Sequence, residues 1–179
     1  MKITVVSVNH SEQLTQPKDH IELPDDNDDD EELEPLRRLV RGLIASRSID
    51  LICEESNPII LSIAQEEAFF HTPRIRWKNI MMTAQERLEA GIWCAILGCN
   101  RPTEEDADTG ATIYHRVPED HIRENFFKDE IVKSAQEINA KSVLVLCGDA
   151  HTEPLRAKLE TAGFDVETNH DLISMKDWK

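Results

Sequence analysis

The segment Val143-Leu-Val-Leu-Cys-Gly-Asp-Ala-His151, with Thr152-Glu-Pro-Leu-Arg-Ala-Lys-Leu-Glu-Thr-Ala-Gly163 behind it, restricts the fold more than any other. Val143 to Cys147 is apolar at consecutive positions, so a strand here must bury both faces, as the strands of parallel sheets do. The segment then turns through Gly148 and reaches His151. An amphipathic helix follows, over about Glu153 to Ala162, closed by Gly163. Lys2 to Val8 is a second β-branched, apolar run, and Ile49 to Cys53 a third. Strands alternating with helices predict an α/β fold of one domain over residues 1–179. Its mainly parallel central sheet should carry helices on both faces.

The remaining elements follow from punctuation. Pro35 opens a predicted helix through Arg47, with Leu36, Leu39, Val40, Leu43 and Ile44 at helical spacing. A further helix is expected over Ile59 to Phe70, and another from a Thr83/Glu86 capping box to about Cys94. Pro118 opens a long helix to about Ala140, and Phe164 to Glu167 reads as a short last strand. His71 to Lys78 and Asn100 to Ala111 read as irregular. Residues 16–34 read as an acidic, mobile inserted loop.

With 35 acidic against 20 basic residues the chain carries a formal charge of −15, which repels nucleic-acid phosphates. No nucleic-acid partner is expected. Arg37, Arg38 and Arg41 are the best basic patch, and as a helix face they read as solvated surface. The run Asp25 to Glu32 lacks the ligand spacing and glycine of an EF-hand, but offers a surface to a basic protein partner. Cys53, Cys94, Cys99 and Cys147 have neither zinc-knuckle spacing nor the pattern of a disulfide framework. No stretch reaches the roughly 20 apolar residues of a membrane span. The expectation is a soluble, cytoplasmic protein with no membrane partner; its oligomeric state is open.

Parallel strands bring their carboxyl ends to one edge, where ligands of open α/β sheets bind. The three strands end on His10, on Glu54-Glu55 and on His151, so the candidate catalytic residues are His10, Glu54, Glu55 and His151, with Arg123 added from the long helix. Two imidazoles and a carboxylate suit a divalent metal such as manganese, cobalt, iron or zinc. The candidate ligands are His10, Glu54, His151 and Asp149, the last alternatively an orienting partner of His151. A one-residue shift at the strand end reverses a side chain's face, so Glu54 and Glu55 are alternatives. Arg123 reads as a clamp for an anion, as the partner of a site carboxylate, or as a surface ion pair with Asp120 or Glu124; Arg87 carries the same alternatives. There is no nucleophile elbow, Walker loop or dinucleotide fingerprint.

These residues, in this order, resemble the superfamily that unites TraB/PrgY-like and TIKI proteins, erythromycin-esterase-like proteins and ChaN-like haem-binding lipoproteins. The resemblance rests on Ser7-Val-Asn-His10, Leu51-Ile-Cys-Glu-Glu55, Arg123-Glu-Asn125 and Cys147-Gly-Asp-Ala-His151, and spans most of the chain. Ser7 stands where those families usually have glycine. The resemblance implies a metal-dependent hydrolase acting on a small molecule or peptide. Fold-level likeness leaves two other readings open: a metal-free esterase with a histidine base, and a non-catalytic module that binds a ligand or protein.

Overall fold

The computed structural model describes residues 1–8, 29–56, 61–92, 103–105, 112–114 and 116–168, with the backbone alone for 29–33, 103–105 and 112–114. Its elements are β1 (Lys2–Val8), α1 (Asp29–Arg47), β2 (Leu51–Glu54), α2 (Ile63–Phe70), β3 (Arg76–Asn79), α3 (Ala84–Glu89), β4 (Thr103–Glu105), β5 (Thr112–Tyr114), α4 (Pro118–Glu137), β6 (Ser142–Gly148), α5 (Asp149–Thr161) and β7 (Asp165–Thr168).

Five strands form one parallel sheet in the order β3-β2-β6-β1-β7, and β4 and β5 form a separate antiparallel pair. Side-chain alternation divides each strand between two cores. Val6, Val8, Ile52, Leu144 and Leu146 pack against Leu39, Val40, Leu43 and Ile44 of α1 and Ile63 and Ala64 of α2. Ile3, Val5, Leu51, Cys53, Val143, Val145 and Cys147 pack against Phe127 and Ile131 of α4 and Leu155 and Leu159 of α5. The consecutive apolar residues of β1, β2 and β6 are thus explained: each face of the sheet meets its own pair of helices.

The order also positions a site. From β2 the chain passes along α2 to the outer strand β3. From its neighbour β6 it passes along α5, on the other face, to β7 beyond β1. Adjacent strands whose connections leave in opposite directions open a crevice at their carboxyl ends. Glu55 and Gly148 stand there, because Glu55 N–H donates to Leu146 O at 2.9 Å and so extends the β2–β6 ladder by one residue.

Several expectations need correction. Arg76–Asn79 is a strand, although the segment reads as irregular. It has no β-branched residue and among the described residues pairs only with β2; its order comes from that neighbour, and Lys78 on this edge discourages further pairing. α1 begins at Asp29, with Pro35 inside it, so residues 29–34 are helical; its acidic first residues suit the positive end of the helix dipole. Residues 16–28 lie outside those described. α2 is shorter than expected and is capped by Ser62, whose side chain accepts from Gln65 N–H. α3 has the expected capping box between Thr83 and Glu86 but stops at Glu89, before the left-handed Gly91 at φ 77°.

The correction with most consequence concerns α5. No turn separates it from β6: Gly148 is its N-cap, and His151 lies in its first turn. Pro154 then sits inside the helix, where it cannot donate to the carbonyl of Ala150. Arg116 Nη1 donates to that carbonyl instead, at 2.6 Å. Arg116 thereby replaces the missing helical bond and is held beside the first turn of α5.

Candidate functional site

The site is built where the carboxyl ends of β2 and β6 meet the first turns of α4 and α5. Glu55 follows Cys53 in alternation and faces the α4/α5 side. Its Oε2 accepts the Gly148 N–H at 3.1 Å, and its Oε1 accepts from Arg123. Arg123 also lies 3.5 Å from Asp120 and over the Phe127 ring. Asp120, at the start of α4, accepts the Val117 N–H at 3.0 Å. Arg123 is thus the partner of a site carboxylate and joins it to a second buried one.

His151 is 3 % exposed. Its Nδ1 lies 3.2 Å from Glu124 Oε1, and since an ionised carboxylate only accepts, Nδ1 carries the proton. The Phe127 ring meets the imidazole edge-on, with centroids 5.5 Å apart. Nε2 then faces Glu55 at 3.9 Å and Asp120 at 4.0 Å, beyond direct hydrogen bonding and within reach of one bridging water.

Glu124 is fully buried, and its Oε1 also pairs with Arg116 at 2.7 Å. Burial pushes its carboxyl group up, but the hydrogen bonds and charges of His151 and Arg116 outweigh that and hold it below the usual carboxylate range. Its Oε2 is buried without a hydrogen-bond partner among the described residues. Buried polar atoms are rarely left so, and a bound water or a catalytic role is among the usual reasons. The three carboxylates of Glu55, Asp120 and Glu124 face two guanidiniums, Arg116 and Arg123.

The structure therefore brings together Glu55, Arg123 and His151 and separates Glu54 from them. Glu54 turns to the α1/α2 face, where its Oε2 accepts from Ser62 Oγ at 2.5 Å and Trp77 Nε1 at 2.8 Å. Asp149 does not orient His151. It accepts from Ser7 Oγ at 2.9 Å, because residues two apart in a helix point in different directions; Glu124 takes the orienting place. His10 lies outside the described residues. Cys53 and Cys147 pack in the core, where burial pushes both thiols well up and keeps them neutral.

Among the described residues no group of three or more His, Cys, Asp and Glu side chains is arranged to hold a metal ion. The donors proposed for one, Glu54, Asp149 and His151, are divided between two faces and separate partners. The cation beside Glu55 and Asp120 is the Arg123 guanidinium, which would repel a dication. The described residues by themselves form no such site, and His10, the remaining expected ligand, lies outside them.

Asp120 and Glu124, which read from sequence only as surface partners of Arg123, belong to the site. Their signal is the helical stripe Phe127, Ile131 and Ala135: carried back towards Pro118 it meets Glu124 and Asp120, two carboxylates on a core-facing stripe. The Arg37, Arg38 and Arg41 patch is neutralised by glutamates, with Arg37 on Glu66 and Glu67, Arg41 on Glu67 and Arg38 on Glu34. Among the described residues no helix is long and apolar enough to cross a membrane.

Comparison with protein-family models, with curated proteins and with solved structures finds no match for this chain.

Proposed function

We propose that this edge is the active site of a hydrolase in which His151 is the general base and Glu124 its positioning residue, with no metal required. The observation that carries the reading is the buried pairing of His151 Nδ1 with a glutamate that Arg116 clamps from the other side. Nδ1 is thereby committed as donor, and Nε2 is left to take a proton. A water bridging Nε2 to Glu55 or Asp120 would be the nucleophile. When it gives up its proton, the imidazolium is met by Glu124 at Nδ1 and by two further carboxylates near Nε2. Arg123 balances those carboxylates and fixes their positions. This is the metal-free form of the activity implied by the resemblance to erythromycin-esterase-like proteins, and the substrate class is an ester, lactone or peptide.

The test is turnover of a panel of esters, lactones and peptides with and without exhaustive chelation, using wild type, His151→Ala and Glu124→Gln. Turnover should survive chelation and fall about 10²- to 10⁴-fold in His151→Ala. Turnover abolished by chelation and restored by manganese, cobalt, iron or zinc would overturn the metal-free mechanism and return the metal to His10, Asp149 and His151. Equal turnover in wild type and His151→Ala would remove His151 from the chemistry. A folded protein inert on every substrate would favour a binding module.

A further inference from the structure

A cavity of about 620 Å³ opens between α3, the end of β3 and α4. Its apolar lining includes Phe126 and the soft side chains of Met81 and Met82, which fit a ligand of irregular outline. Most of the charged groups on its wall already have partners. Lys78 pairs with Glu130 at 2.9 Å, and Glu86 is tied into its capping box by the Thr83 N–H and hydroxyl. Arg87 is different. Its Nε donates to the Met82 carbonyl at 3.1 Å, which fixes the guanidinium plane against the cavity wall. Among the described residues no carboxylate stands within ion-pair distance of it, although the chain has 35 acidic residues to draw on.

The surroundings of Arg87 sharpen the point. Burial and the like charge of Arg123 hold its guanidinium below the usual range, with Glu55 partly offsetting them. A half-buried guanidinium whose terminal nitrogens have no partner among the described residues, near the like charge of Arg123, is an arrangement that an anion relieves. The planar fork matches a carboxylate or phosphate with two parallel hydrogen bonds.

We propose that this cavity binds a small anionic ligand with a short apolar body, its carboxylate or phosphate on Arg87 and its body against Met81, Met82 and Phe126. The binding site stands on these residues alone; that its ligand is the substrate rests on the hydrolytic reading above. The substrate would then be an anionic ester, amide or lactone anchored by Arg87.

The test is calorimetric titration of wild type with hexanoate, hexyl phosphate and 1-hexanol. Saturable binding of at least one anion, with 1-hexanol much weaker, is expected; the stronger anion identifies the headgroup. Arg87→Gln should weaken anion binding about tenfold or more, and Arg87→Lys should recover part of it. Ala84→Glu keeps the Arg87–Met82 bond and places a carboxylate at an exposed position one turn before Arg87, so it should weaken binding to a similar degree even if Arg87→Gln folds poorly. Equal binding of 1-hexanol, no saturable binding of either anion, or unchanged affinity in both Arg87→Gln and Ala84→Glu would overturn the proposal. Wild-type anion binding in a protein that hydrolyses nothing would leave the anion site standing and remove the hydrolase.

Discussion

Glu54 and Glu55 are neighbours in the chain and equally buried, at 0 % and 1 % exposure, yet they belong to different parts of the molecule. Glu54 ends on the α1/α2 face, where a serine hydroxyl and an indole N–H donate to it above an apolar core. Glu55 ends on the α4/α5 face, within reach of Arg123, His151 and a backbone N–H from the neighbouring strand. The difference teaches how a sheet sorts identical side chains. Alternation sends them to opposite faces, and the helix packed on each face decides whether a carboxylate becomes a peg for neutral donors or one charge in a network of titratable groups.

The comparison breaks most visibly if the two positions are truncated in turn. Glu54→Ala strips the partner from Ser62 Oγ and Trp77 Nε1 inside the core, and should cost about 2 to 4 kcal/mol in urea melts. It should leave turnover per folded molecule unchanged. If it abolishes turnover while the fold survives, the α1/α2 face holds chemistry after all. Glu55→Gln keeps a partner for the Gly148 N–H and, through Asp120, part of the environment of Arg123. The stability loss should be smaller, about 1 to 2 kcal/mol, but activity should fall with it. A Glu55→Gln protein that is fully active would demote Glu55 to scaffolding.

The smallest effect sharpens the comparison through pH. The Glu124 carboxyl is held below its ordinary value of 4.5, so the native state binds that proton less readily than the unfolded chain does. The stabilisation is complete above about pH 4.5 and is lost as pH falls through the lower native value. The stability gap between wild type and Glu124→Gln should be constant from neutral pH down to that point and then narrow. A gap that widens on acidification would reverse the assigned sign.

Much of the scaffold was legible because it depends on local pattern. The apolar runs at Lys2–Val8 and Ser142–Gly148, the Thr83/Glu86 box and Pro118 before a long helix mark their elements through burial period and capping chemistry. β3 was not legible, since Arg76-Trp77-Lys78-Asn79 is ordered by pairing with β2 across a distance in sequence. The start of α5 was misplaced for a related reason. Pro154 argues locally against a helix through Ala150, and the carbonyl it leaves without a partner is satisfied by Arg116, 34 residues away.

What the sequence determined by itself was the parallel core strands β1, β2 and β6, their two-sided burial, and the meeting of Glu55 or Glu54 with His151 at one edge, because periodicity is a property of short segments. Only the tertiary structure decided which glutamate faces His151, that Glu124 rather than Asp149 holds its Nδ1, and that Arg123 is committed to Glu55. Those outcomes depend on the register of β2 against β6 and the seating of α4 on one face. Both are set by the packing of side chains distant in sequence, which no local pattern encodes.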